Sequence, residues 1–217
     1  MKPQRLDTRY QIPETRISLT RGMTLVELLI ALAVFAVVII AVGAFESNVF
    51  QYQGSISGSF QTAQSSQVIL KTILTELRKA APSANGSYPI IRAGSTTLAF
   101  FSDPDNDGVT EQITYTLMGT TLYRATIQPS GTPPSYILAN ESTTTLMTAV
   151  RNGVVTPVFQ YYDGNYTGTS SPLTQPVTAT IIRLVKANLV IDLDPGRSPA
   201  PITYTVQVNL RNLKSNL

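Results

Sequence analysis

The pattern of hydrophobic and polar positions changes its period once along the chain. Up to about residue 79, apolar side chains either form an unbroken run or recur every three or four positions, which is typical of α-helix. Beyond Gly86 they alternate with polar side chains, which is typical of half-buried strands. The sequence therefore predicts an α+β fold, with a long N-terminal helix packed on an antiparallel β-sheet head.

The predicted helix has two parts that differ in their apolar pattern. Residues 28–45 read LLIALAVFAVVIIAVGAF without a charge, and a helix of this length spans about 27 Å, close to the hydrocarbon core of a bilayer. Farther on, the apolar positions follow one helix face: Phe45, Val49, Tyr52, Ile56, Phe60, Ala63, Leu70, Leu74 and Leu77. We expect one helix over about 23–79, ended by Pro82, with its first part in a membrane and its second part on the head.

Alternation predicts several strands in the head. A hairpin is expected where the strand at 113–117 turns through Met118 and Gly119 into 121–124. Further strands are expected near 97–102, 154–161 and 180–192. In the clearest strand, polar residues separate five apolar ones: Ile202, Tyr204, Val206, Val208 and Leu210.

The positive charge of the chain is concentrated before the apolar run. The chain has 16 basic and 13 acidic residues, a net charge of +3. Five basic residues against Asp7 and Glu14 account for this excess: Lys2, Arg5, Arg9, Arg16 and Arg21. The next basic residue is Lys71, so the bias predicts a cytoplasmic N-terminus and an external C-terminal head. The head has no basic stripe, and nucleic acid is not expected as a direct partner.

Several chemistries are excluded by the residue types that the chain lacks. It has no cysteine and no histidine, which removes thiol nucleophiles, disulfides, imidazole bases and the usual zinc ligands. No G-x-S-x-G sequence occurs. We therefore predict a protein that is not an enzyme and requires no cofactor.

The residues just before the apolar run carry the most specific signal. Glu27 lies at the edge of the membrane-capable helix, where an unpaired carboxylate costs about 2.5 to 3.5 kcal/mol and therefore requires a partner. Alternatively, Thr24 and Glu27 form a capping box at the helix N-terminus, and the two roles are compatible. An ordinary secretory signal is cut after its apolar core; small residues at 41–44 imitate such a site only weakly.

The stretch RGMTLVELLIALAVF resembles the junction of type IV pilin and type II secretion pseudopilin precursors. The resemblance implies that a prepilin peptidase cuts between Gly22 and Met23 and methylates the new amine. Residues 1–22 are then a leader, 23–45 a transmembrane and assembly helix, 46–81 its amphipathic continuation and 82–217 the head. Thr24 and Glu27 become assembly residues, in which Glu27 pairs with the terminal amine of a neighbouring subunit and sets the stagger. Met23 replaces the more usual Phe, and the leader is long.

The head has looser similarities to J-type minor pseudopilins and W-type minor pilins: ELRKA, SDPDNDG, ITYTLMGTTLYR and VNLRNLK. They imply a subunit that initiates or caps a type IV pilus, a secretion pseudopilus or a DNA-uptake filament. Its partners are then other pilins or pseudopilins and an inner-membrane assembly platform, with the head in the periplasm or outside the cell. The alternative is a single-pass anchored β domain that binds a ligand without polymerising.

One loop of the head has the opening of a calcium-binding sequence. Asp103, Asp105 and Asp107 precede Gly108 in the order D-x-D-x-D-G, which gathers hard oxygen ligands around a sharp turn. The twelfth position is Thr114 instead of a bidentate Glu, but Glu111 is near enough to contribute. These four acids are the candidate calcium ligands, and the alternative is an exposed acidic turn.

Overall fold

The computed structural model describes residues 22–153, 155–196 and 200–210. For residues 47–61 it describes the backbone alone. The predicted leader lies outside the described residues except for Gly22. The chain divides into two compact units, Met1–Val49 and Phe50–Leu217.

The first unit contains the beginning of helix α1, Leu25–Arg78. All described side chains of this unit are exposed; for example, Leu25 is 76% exposed and Val38 50%. Within the described residues, Leu25–Glu46 is the one helical segment long and apolar enough to cross a membrane. The prediction of an N-terminal apolar helix is therefore confirmed.

In the second unit, α1 ends where its last turn tightens. The amides of Lys79 and Ala80 each donate to a carbonyl three residues earlier, at 3.1 Å. Pro82 then prevents the helix from continuing. The expected end near residue 79 agrees with this geometry.

The head contains two antiparallel sheets. The first has five strands in the order β1-β2-β3-β4-β5, and each strand pairs with the next along the chain. Its strands are β1 (Ile90–Ala93), β2 (Thr97–Ser102), β3 (Glu111–Met118), β4 (Thr121–Ile127) and β5 (Ser142–Met147). The second has three, in the order β6-β7-β8: β6 (Phe159–Tyr162), β7 (Leu184–Ile191) and β8 (Ile202–Asn209). The α+β fold with an antiparallel head is thus confirmed.

The predicted hairpin joins β3 to β4 through two residues. Met118 pairs with Thr121, which leaves Gly119 and Thr120 as the turn. Gly119 has a φ of +58°, a left-handed conformation that glycine adopts at little cost.

One core joins α1 to both sheets within the second unit. On α1 the buried apolar residues lie on one helix face: Ile69, Leu70, Ile73 and Leu77. They pack with Phe100 of β2, Tyr115 of β3 and Tyr161 of β6, among others. The Tyr161 hydroxyl also donates to the Gly94 carbonyl at 2.9 Å, which ties the second sheet to the turn between β1 and β2.

Some expected elements differ from the observed ones. The sequence did not indicate β1 or β5; β1 has only four residues and β5 is rich in exposed threonine. The strand expected over 154–161 begins at Phe159, after Pro157, which has no N–H to donate to a sheet. The apolar face predicted for α1 passed through Leu74, whereas the helix buries Ile69 and Ile73 more fully.

A charged side chain of α1 is buried against the first sheet. Glu76 is 6% exposed; its carboxylate pairs with the Arg124 guanidinium of β4 at 2.8 Å and accepts a hydrogen bond from the Tyr115 hydroxyl of β3. Burial, followed by the charge of Glu76, raises the pKa of Tyr115, so the phenol keeps its proton and donates. The three side chains fix the rotation of α1 over β3 and β4.

Removal of Glu76 alone is predicted to cost more than removal of the whole ion pair. Glu76→Met leaves a half-buried guanidinium without its anion and the buried Tyr115 hydroxyl without its acceptor, and should lower the free energy of unfolding by about 3 kcal/mol. The double variant Glu76→Met/Arg124→Met should recover part of that loss, because no unpaired charge remains. Urea unfolding of the full-length protein in detergent, monitored by circular dichroism, measures the free energy of unfolding of each variant. A double variant whose loss equals the sum of the losses from Glu76→Met alone and Arg124→Met alone would contradict the pairing.

Candidate functional site

The predicted processing junction lies just before α1. Gly22, Met23 and Thr24 are exposed and precede the helix in irregular backbone, and Met23 is 63% exposed. A peptide bond in exposed, irregular backbone such as that between Gly22 and Met23 is accessible to an enzyme. The structure therefore places the predicted cleavage position where cleavage leaves α1 intact.

Thr24 and Glu27 form a reciprocal capping box. The amide of Glu27 donates to the Thr24 hydroxyl at 3.2 Å, while the Thr24 amide donates to Oε2 of Glu27 at 2.9 Å. The Thr24 hydroxyl also donates to the same Oε2 at 3.0 Å. The amides of Thr24 and Glu27, which have no partner within the helix, are thereby satisfied. The capping box that the sequence indicated for Thr24 and Glu27 is therefore present.

The capping box leaves half of the Glu27 carboxylate available. Among the described residues, the hydrogen bonds to this group all use Oε2, and Oε1 accepts none. The side chain is exposed, and its χ angles are held by Thr24. Glu27 therefore presents a fixed anion at the start of the apolar helix, which is able to accept a cation from another molecule.

The surface beyond Glu27 is apolar on all sides of the helix. Large exposed side chains from Leu25 to Phe45 surround it, each at least half exposed. A helix that is apolar all round is stable only in lipid or among other helices. This segment therefore requires lipid or other helices around it.

The acidic loop of the head joins β2 to β3. Asp103 folds the loop by accepting hydrogen bonds from the amides of Asn106, at 2.6 Å, and Gly108, at 3.0 Å. Carboxylate oxygens of Asp103, Asp105 and Glu111 lie within 4.8 Å of one another. The structure thus brings three of the four candidate metal ligands together. Asp107 lies outside this group, and its carboxylate accepts from the Val109 amide at 2.7 Å.

Glu111 reaches the cluster from the core side of the sheet. Its position alternates in phase with Ile113, Tyr115 and Leu117, which are all buried on the same side of β3. Glu111 is 1% exposed, and both carboxylate oxygens are buried without a hydrogen-bond partner. Among the described residues, no hydrogen bond or ion pair compensates for the burial of this acid.

The pKa of Glu111 is shifted by this environment. Burial, together with the neighbouring carboxylates of Asp105, Asp107 and Asp103, raises it to about 6. The backbone N–H of Glu111 itself opposes the shift without meeting hydrogen-bond geometry. The side chain is therefore an anion at neutral pH that its surroundings disfavour.

Lys79 contacts the acidic loop, which the sequence did not indicate. Its ammonium donates to the Pro104 carbonyl at 3.0 Å and to Oδ1 of Asn106 at 2.9 Å, and so ties the acidic loop to the end of α1. No sequence pattern pairs these positions, because the contact depends on where α1 ends beside β2. The burial of Glu111, by contrast, could be predicted from the sequence, because Glu111 alternates in step with the apolar residues Ile113 and Tyr115.

The stability of the cation-free protein is predicted to fall as pH rises from about 4.5 to about 6. The native state holds the Glu111 proton to higher pH than the unfolded state, so it binds more protons in this window and loses stability as they dissociate. Glu111→Gln removes this titration. Urea unfolding of both proteins in EDTA across this range should show wild type losing stability relative to Glu111→Gln, and parallel profiles would contradict the shift.

Comparison with known proteins bears on the N-terminal site. Residues 17–43 match the family model of the prokaryotic N-terminal methylation motif. The match spans Gly22, Met23, Thr24 and Glu27 and does not reach the head. No curated protein matches the chain. The motif supports a structural subunit of the type IV pilin or pseudopilin class, held in a membrane by its apolar helix.

Proposed function

We propose that the chain is a minor subunit of a type IV pilus, a secretion pseudopilus or a DNA-uptake filament, of the J or W type. The pilin-like class of the subunit rests on a methylation motif at the start of an apolar helix whose side chains are uncovered over 22 residues. The minor type rests on the head sequences ELRKA, SDPDNDG, ITYTLMGTTLYR and VNLRNLK. The subunit initiates or caps assembly and has no catalytic role. Its partners are other pilins or pseudopilins and an inner-membrane assembly platform.

Processing creates the group that assembly uses. A prepilin peptidase cuts between Gly22 and Met23, which frees a cationic amine at Met23, and then methylates it. The exposure of this peptide bond and the start of α1 two residues later support such a cut. The leader 1–22 is removed, and the apolar helix is retained.

The assembly contact is a pair between Glu27 of one subunit and the Met23 amine of its neighbour. The capping box supports this role, because it orients the carboxylate while Oε1 remains available. In a medium of low dielectric, such a pair is strong when its geometry is fixed, and an unpaired Glu27 is costly. The pair therefore favours one axial stagger between adjacent helices.

The subunit enters the filament from the inner membrane. The basic residues before the apolar run favour a cytoplasmic N-terminus and an external C-terminus. The head then lies in the periplasm or outside the cell. On assembly, apolar helices of sister subunits replace lipid around α1, so its exposed side chains stay out of water.

Glu27→Ala is predicted to lower the amount of subunit in sheared filaments by about tenfold or more, while the amount in the membrane stays unchanged. The reason is that no carboxylate remains to pair with the neighbour's amine, a loss of at least about 1.4 kcal/mol per contact. Quantitative mass spectrometry of filament and membrane fractions from the producing cells measures both amounts.

Two matched variants separate pairing from capping. Thr24→Ala removes the cap but keeps the carboxylate, so incorporation should fall much less than in Glu27→Ala. Glu46→Ala removes another exposed acid of the same helix and should leave incorporation at the wild-type level. Wild-type incorporation of Glu27→Ala would refute the pairing, and equal loss in Thr24→Ala would reduce Glu27 to a capping residue.

The minor role has its own readout in the same fractions. A subunit that initiates or caps assembly should be present in far fewer copies than the main filament protein, and its deletion should reduce the number of filaments. A copy number equal to that of the most abundant subunit would contradict the minor role without affecting the pairing of Glu27.

A further inference from the structure

We propose that Asp103, Asp105 and Glu111 bind a calcium ion where the β2–β3 loop meets the core of the head. Oxygens of the three carboxylates lie within 4.8 Å of one another. Two oxygens on opposite sides of a calcium ion are about 5 Å apart, so this spacing fits a shared ion.

Glu111 supplies an independent sign that a cation belongs here. It is 1% exposed, and neither of its buried carboxylate oxygens has a hydrogen-bond partner. Two hydroxyls in its vicinity are engaged elsewhere: Ser102, its neighbour on β2, donates to the Glu76 carbonyl at 2.8 Å, and Tyr136 donates to the Thr110 carbonyl at 2.6 Å. At neutral pH, a bound cation would stabilise a buried, unpartnered carboxylate that lies beside two other carboxylates.

The described part of the chain offers no side-chain cation for this purpose. Arg124 lines the same cavity, but its guanidinium is engaged with Glu76 and Thr126. Lys79 donates to Pro104 and Asn106 at the outer side of the loop, and it forms no ion pair with the three acids. Among the described residues the three acids therefore lack a compensating charge, and a bound cation would supply it.

The ligand set favours calcium over other cations. Carboxylate oxygens are hard ligands, and the site contains neither nitrogen nor sulfur, which zinc and copper prefer. Magnesium requires near-ideal octahedral geometry at shorter distances, whereas calcium accepts irregular sets of six to eight oxygens that include water. A polar cavity of about 620 Å³, lined by Asp105 and Glu111, gives water and ions access to the cluster.

Asp103 is able to bind an ion without giving up its role in the loop. Its two oxygens accept hydrogen bonds from Asn106 and Gly108, and each oxygen retains a second lone pair. A bound ion therefore joins three parts of the head: the folded loop through Asp103, its exposed side through Asp105, and the core face of β3 through Glu111. Calcium is expected to stabilise the head by this connection.

The experiment is a calcium titration of the full-length protein in detergent after EDTA treatment and dialysis. Isothermal calorimetry should give a saturable heat with about one ion per chain, and calcium should raise the melting temperature. The dissociation constant for magnesium should be at least about tenfold higher than that for calcium. The test is independent of filament assembly, since it uses the unassembled subunit.

Three variants assign the ligands. Glu111→Gln and Asp105→Asn should each weaken calcium binding by about tenfold or more. Asp107→Asn removes the same charge from the same loop but lies outside the cluster, so its affinity should stay within about threefold of wild type. In EDTA, Glu111→Gln should melt no lower than wild type, because it removes a buried charge without a partner; in calcium, wild type should melt higher.

Clear results would overturn the proposal. Absence of both heat and melting shift with calcium would refute the site. Equal loss of affinity in Asp107→Asn and Glu111→Gln would mean that the loop attracts cations by its total charge alone. Equal affinity for magnesium would refute the assignment to calcium.

Discussion

The exposed apolar surface of α1 between Leu25 and Glu46 determines which surroundings the chain can occupy. From Leu25 to Glu46 the described side chains of α1 are uncovered, and a fully buried Leu, Ile, Val or Phe gains about 1.5 to 3 kcal/mol over an exposed one. Summed over such a segment, exposure to water is prohibitive. The segment is therefore stable in a bilayer or among similar helices, and a structural subunit uses both environments in turn.

The glutamates near the two ends of α1 have different roles. At its start, Thr24 and Glu27 satisfy the free amides of the first turn while half of the carboxylate remains open. Near its end, Glu76 is buried and fully engaged with Arg124 and Tyr115. Glu27 is oriented and available to another molecule, whereas the hydrogen bonds of Glu76 are made within the head. Identical side chains thus have opposite roles because burial and local partners differ.

Periodicity predicted the main elements because their patterns are strong. The helix, the β3–β4 hairpin, β7 and β8 follow from apolar runs and alternation that extend over many residues. The short strand β1 and the threonine-rich β5 carry no comparable pattern, since one has four residues and the other buries little. The division into two sheets and the pairing of Glu76 with Arg124 depend on contacts between residues far apart in sequence. Likewise, the spacing of acids predicted a metal loop, but only the fold shows that Glu111 is buried and joins Asp103 and Asp105.

Each proposed step of assembly requires that the apolar helix is released from its leader and retained. The intact mass of the protein, extracted from membranes of cells that contain a prepilin peptidase, reports both events. We expect the mass of the chain from Met23 onward plus one methyl group. A mass that retains residues 1–22, or one that reflects a cut after the apolar run, would contradict it.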